Sequence, residues 1–145
     1  MQFSSSILDV PRPLIDPITS LLDALSVISL ALQRPRQNDT VVLALDSQRR
    51  GLNLFRTHPV SSETLHRIIG QCSVVPGIHG VVLASLRTTS PLLSTDQQFM
   101  FSAQHTLSAA GIELVDWVVL GAGGLYCPRT LSGIPDPWPY GNMCV

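Results

Sequence analysis

Lysine is absent from this sequence, and charge of either sign is scarce. All nine basic side chains are arginine, and charged residues make up 13% of the chain, about half of the roughly 25% typical of soluble proteins. A surface rich in Ser, Thr and Gln accounts for this. So does a surface covered by a protein partner or a second copy, because interface centres are depleted in charge. Codon usage in a GC-rich genome explains the missing lysine, but the consequence is physical all the same. Every cation is a planar fork suited to bidentate contact with carboxylate or phosphate. The net charge is −1, and the arginines are scattered apart from Arg34/Arg36 and Arg49/Arg50. No basic face emerges, so nucleic-acid binding gains only weak support.

Cysteine and glutamate are sparse too. Cys72, Cys127 and Cys144 are odd in number, form no Cys-x-x-Cys pair and have no His at ligand spacing. This points to a reduced, cytoplasmic setting, with Cys72 packed in a core helix. The only glutamates are Glu63 and Glu113, which limits the candidates for a general base. No basic segment precedes an apolar core near residue 1, so no signal peptide is expected. The longest apolar stretch, 18–32, is interrupted by Asp23 and is too short for a membrane span, so no membrane partner is expected.

The remaining composition is that of a folded domain: 145 residues, 45% apolar, enough for one core. Residues 1–13 read as a loose arm. Asp16-Pro17 is expected to open a helix, with Ile18, Leu21, Leu22, Leu25, Ile28 and Leu32 on one apolar face and Arg34-Pro35-Arg36 as its end. Thr40–Leu45 is continuously apolar and reads as a strand covered on both faces. The polar run 46–51 turns it into a second strand over 52–57, a hairpin. A helix from Ser62 carries Leu65, Ile68, Ile69 and Cys72 inward. After the break at Pro76-Gly77, a third strand spans 80–84. Ser94 with Gln97 forms a capping-box pattern that starts a helix burying Phe99, Met100, Ala103, Leu107 and Ala110 and stopped by Gly111. A fourth strand spans 112–120 and a short fifth 125–127. From Pro128 a Pro/Gly-rich tail follows, ordered only if Trp138 and Tyr140 dock. This alternation predicts α/β: a single domain with a mixed β-sheet flanked by helices.

Generic catalytic signals are missing. Gly121-Ala122-Gly123-Gly124 follows a strand but opens no helix, so it reads as a tight turn rather than a phosphate cradle. His58, His66, His79 and His105 include no i, i+4 pair; each reads as solvated or as a satisfied core residue. Ser85, Thr88, Thr89 and Ser90 follow a strand without a Gly-x-Ser-x-Gly elbow, which gives a nucleophilic serine little support.

One constellation is more specific. Val81-Val82-Leu83-Ala84 leads into a polar loop, and Ser94-x-Asp96 opens a helix. Leu107-x-x-Ala110-Gly111 closes that helix, and Ile112-Glu113-Leu114-Val115-Asp116-Trp117-Val118-Val119-Leu120-Gly121 follows. This order resembles the core of the JAB/MPN metalloprotein superfamily, in particular its RadC-like branch. There the strand precedes His-Asn-His-Pro-Ser-Gly, then Ser-x-x-Asp on a helix, and the last strand carries Asp-His. Leu45-Asp46-Ser47-Gln48-Arg49 is similar to the branch's Leu-Asp-x-x-Asn hairpin turn. The resemblance covers residues 40–127. It implies a JAB/MPN-like fold.

The departures fall on the chemistry. In the family, two loop histidines and the helix Asp hold zinc and its nucleophilic water. Ser85 and Arg87 stand where those histidines would be. A hydroxyl is a poor ligand, and a guanidinium is a fixed cation that repels a metal. Asp96 matches the third ligand, but it lies two residues from Ser94 instead of three and so shares no helix face with it. Asp116-Trp117 replaces the final Asp-His, and neither glutamate lies on the hairpin strands. The resemblance therefore implies a metal-free, cofactor-free, catalytically inactive domain with vestigial positions Ser85, Arg87, Ser94, Asp96 and Asp116. Arg87 is expected to fill the vacated site and pair with Asp96 or Asp116. Such a domain acts through a protein partner or as a homo-oligomer. The alternative is a DNA-associated protein or hydrolase with a non-standard site around Arg87 and Asp96.

Overall fold

A computed structural model describes residues 10–32, 38–87, 94–121 and 124–139. Its strands form one five-stranded sheet in the order β2-β1-β3-β4-β5. The strands are β1 (Thr40–Leu45), β2 (Gly51–Thr57), β3 (Gly80–Leu86), β4 (Glu113–Gly121) and β5 (Gly124–Tyr126). Among the described strands only β3 and β4 run parallel, because a helical crossover lies between them and parallel neighbours need one. The helices are α1 (Leu21–Ile28), α2 (Ser62–Cys72), α3 (Asp96–Ala109) and the short α4 (Pro128–Leu131). The expected α/β class and mixed sheet are what the chain adopts.

Strand alternation sorts the apolar side chains into two layers. Val42, Ala44, Val81, Leu83, Trp117 and Val119 pack against Leu65, Ile68 and Cys72 of α2 and Met100, Ala103 and Leu107 of α3. Val41, Leu43, Leu45, Val82, Ala84 and Val118 pack on the other face with Leu21, Ala24 and Ile28 of α1, and with Cys127 and Trp138. Both faces of β1 and β3 are thus covered, as their unbroken apolar runs require. The hairpin turn is held by Asp46. Its Oδ1 accepts the amides of Gln48 and Arg50, both at 2.9 Å, and its Oδ2 pairs with Arg50 Nε at 2.8 Å.

Several boundaries differ from expectation. Asp16-Pro17 does not start α1; Ser20 does, accepting the Asp23 amide at 3.1 Å. The Asp16 carboxylate is engaged by the amide and guanidinium of Arg12, and the Ile18 amide donates to Arg49 O, tying this stretch to the hairpin. Leu22, expected inside, is 61% exposed. Ser94 does not cap α3: Thr95 holds the cap position in a helical conformation without a side-chain bond, and Asp96 begins the helix. Ala110 is exposed, while Gly111 stops the helix at φ +79°, where a Cβ is strained.

The core also runs past residue 127. The tail forms α4, and Trp138 docks at 5% exposure. A tryptophan buries ~150–250 Å², which stabilises by at most about 4–6 kcal/mol at about 25 cal/mol/Å². Cys72 is free and buried. Cys127 is disulfide-bonded, its partner outside the described residues. This corrects the expectation of uniformly reduced cysteines: spacing along the chain does not reveal the bond. Tyr140, Cys144, Arg34 and Arg36 also lie outside the described residues.

Candidate functional site

The carboxyl ends of β3 and β4 meet the start of α3, the location where open α/β sheets usually bind ligands. Ser85 and Arg87 leave β3 on the same side, two residues apart, toward α2 and α3. Trp117 comes up beside them from β4 on that face. Asp96, the first residue of α3, points back at them.

These four side chains contact one another. Arg87 Nη1 donates to Asp96 Oδ2 and Nη2 to Asp96 Oδ1, both at 2.8 Å. This fork-to-fork geometry is the strongest form of the arginine–carboxylate bond. The pair is sheltered, with side-chain exposures of 15% for Arg87 and 3% for Asp96. The Arg87 guanidinium lies 5.9 Å from the ring centroid of Trp117, within reach of a cation–π attraction. Trp117 is fully buried. Its indole N–H donates to Ser85 Oγ at 2.8 Å, and Phe99 meets its ring edge-on at 4.8 Å. Thr40, opposite Ser85 across β1 and β3, is also buried, and its hydroxyl has no hydrogen-bond partner among the described residues.

The expectation that Arg87 pairs with Asp96 or Asp116 resolves in favour of Asp96. Asp116 lies on the other face of the sheet, and a register shift explains why. Val81 pairs with Leu114 but Val82 with Asp116, so Val115 is an extra residue in β4. Such a bulge reverses the facing of everything after it. Val115 and Asp116 thereby share the α1 face, and Trp117 turns toward Arg87. Asp116 Oδ2 accepts Trp138 Nε1 at 2.8 Å and Arg129 Nε at 3.3 Å, and Oδ1 accepts the Trp117 amide. Burial pushes the Asp116 carboxyl above its ordinary value, against the pull of Trp138, Arg129 and the Trp117 amide.

Of the five positions that the resemblance singles out, then, Ser85, Arg87 and Asp96 come together, Ser94 is exposed at the turn before α3, and Asp116 serves a separate network. Thr88, Thr89 and Ser90 lie outside the described residues. Thr40 belongs to the site although sequence reasoning did not single it out, and Trp117 was named only as the replacement for the resembling family's His. The signal for Trp117 was its position beside Asp116, where the resembling family has His.

A zinc ion does not fit this set. The single carboxylate spends both oxygens on a guanidinium, and the other groups are a cation, an indole and a hydroxyl that already accepts a bond. Among the described residues no three His, Cys, Asp or Glu side chains are grouped to hold a metal. His58, His66, His79 and His105 are all exposed. His79, His105 and Glu113 border one open depression at the amino end of β4 without forming such a group. Chemically, the arrangement around Arg87 is a neutralised lock: it can fix the β3–α3 junction, and its acid–base groups are already committed to each other.

No protein-family model matches this chain, and no curated protein matches it in sequence.

Proposed function

We propose that this chain is a JAB/MPN-like domain of the RadC-like branch whose metal site has been replaced by a structural lock, and that it acts as a protein-interaction or structural module. The observation that carries this reading is the Arg87–Asp96 pair under Trp117. It fills the strand-to-helix junction at which the resemblance expects zinc ligands. The order of elements and the one parallel strand pair support the same reading.

The partner is a protein or a second copy of this chain. Charge is scarce overall, and Leu14, Ile15, Leu22 and Leu30, near the amino end of the described chain, are 57–69% exposed. Exposed apolar side chains there are compatible with an interaction face, which needs a contiguous patch. The alternative, a DNA-associated protein or hydrolase using Arg87 and Asp96, needs a guanidinium open to an anion. Arg87 is sheltered and already neutralised, which disfavours that alternative. Among the described residues no helix is long and apolar enough to cross a membrane. A cytoplasmic setting is harder to reconcile with the disulfide at Cys127, because such bonds persist mainly in oxidising compartments.

Light scattering on the purified protein, combined with a salt-dependent DNA titration, tests this reading. It predicts a stable oligomer or a stoichiometric protein partner, with no DNA binding above that of a neutral protein. A partner-free monomer that binds DNA with a steep salt dependence would contradict it.

A further inference from the structure

The start of β1, the end of β2 and the second half of α2 enclose an open cavity of about 640 Å³, within the ~300–1,000 Å³ usual for a small-molecule site. The lock around Arg87 uses none of its lining. That lining is polar: it includes Asp39, Arg56, Thr57, His58, Arg67 and Gln71, and no Phe, Tyr or Trp. Arg56 Nη2 pairs with Asp39 Oδ2, and the two side chains are 21% and 14% exposed. Each keeps an atom over. Arg56 Nε and Asp39 Oδ1 are buried without a hydrogen-bond partner among the described residues, and the hydroxyl of the adjacent Thr40 is a third such atom. Buried polar groups are otherwise almost always paired, so three orphans at one end of the sheet call for a group that completes them. Arg67 is held only loosely. Its Nη2 meets Glu63 at 2.9 Å, but both side chains are more than half exposed, and such a pair contributes little.

We propose that this cavity is a binding site for a sugar phosphate. Arg56 and Arg67 come to it from different elements, against the single carboxylate of Asp39, and their planar forks match phosphate oxygens. Arg67 exchanges its exposed partner Glu63 for the phosphate at little cost. A bare anion does not complete the site, because Asp39 Oδ1 is an acceptor and repels it. That atom needs a donor, which a sugar hydroxyl supplies, while an oxygen of the same ligand accepts from Arg56 Nε. Both side chains reach the surface, so a small rotation brings these atoms to the ligand. Thr57 and Gln71 each donate and accept and so suit the remaining hydroxyls. A nucleotide fits less well, since no aromatic ring lines the cavity for a base to stack on. The assignment stands apart from the reading of the Arg87 lock, with which it shares no lining residue.

Isothermal titration calorimetry on the full chain tests this, with glucose 6-phosphate and ribose 5-phosphate as probes beside glucose, inorganic phosphate and AMP. At least one sugar phosphate should bind stoichiometrically, about tenfold or more tightly than inorganic phosphate or AMP, and glucose should give no measurable binding. Arg67→Gln should weaken that binding about tenfold, the loss of one charge-assisted bond. Glu63→Gln releases Arg67 and should tighten it about twofold to fivefold. Both side chains lie on the exposed side of α2, so the thermal midpoints of the two variants should match that of the native chain. Failure of both sugar phosphates to bind would overturn the proposal, as would an unchanged affinity in Arg67→Gln. Inorganic phosphate or AMP binding as tightly as the sugar phosphates would overturn it too, because the site would then recognise an anion alone or a base.

Discussion

The Arg87 guanidinium grips both carboxylate oxygens of Asp96 at 2.8 Å, joining the end of β3 to the first residue of α3. Removing the guanidinium leaves a carboxylate with 3% side-chain exposure without its cation. Arg87→Ala is therefore expected to destabilise the fold by about 3 kcal/mol. Replacing both residues with apolar ones of similar size, Arg87→Met with Asp96→Leu, should recover most of that loss, because the desolvation cost disappears with the charges. Urea unfolding of the two variants checks this. A change within about 0.5 kcal/mol for Arg87→Ala would mean that the pair contributes nothing to the junction.

Thr40 offers a prediction of opposite sign. Its buried hydroxyl has no hydrogen-bond partner among the described residues, and an unsatisfied group of this kind costs ~1–3 kcal/mol. Thr40→Val keeps the shape and removes the polar atom, so it should stabilise by about 1 kcal/mol. Thermal unfolding would show a raised midpoint; a clear fall would reveal a partner for the hydroxyl.

Asp116 gives a pH signature. Its carboxyl is raised from an ordinary 3.8, with burial as the main cause, so the native state holds that proton more tightly than the unfolded chain. Its contribution to stability therefore falls as pH rises from 3.8 through the raised value and is constant above it. Asp16, bonded by the Arg12 side chain, is shifted downward. At Asp46 burial pushes upward, but bonds from Arg50 and the Gln48 amide outweigh it. Those two lose their contribution as pH falls below the ordinary range. Subtracting the stability of Asp116→Asn from that of the native chain at each pH isolates the Asp116 component. That difference should decline with rising pH; a rising difference would contradict the assignment.

Gly80 sits where β3 passes the bulge in β4. A Cβ there would lie 3.0 Å from both Glu113 O and Val115 Cγ2, tighter than ordinary packing. Gly80→Ala should cost about 1–3 kcal/mol and disturb the facing of Asp116 and Trp117. Trp117 indole chemical shifts report on the second effect.

How far the sequence carried this description differs from element to element. Apolar periodicity located the sheet, α2 and α3, and the unbroken runs in β1 and β3 revealed strands covered on both faces. The residues of the lock were partly legible, because Ser85, Arg87 and Asp96 stand at recognisable positions. Which carboxylate Arg87 would take was not, since that depends on one extra residue, Val115, and a bulge leaves no mark in an alternating apolar strand. Ser94 carried the right residue types for a cap, but Asp96 is drawn to Arg87 and the helix begins there instead. The docking of Trp138 depends on residues 128–138 folding back across the sheet, which no local pattern encodes.

Metal content tests the central claim most directly. Elemental analysis of protein purified without chelators, followed by calorimetric titration with zinc, should find no stoichiometric zinc and no binding that depends on Asp96. One zinc per chain, lost in Asp96→Ala, would contradict the reading of this site as a lock.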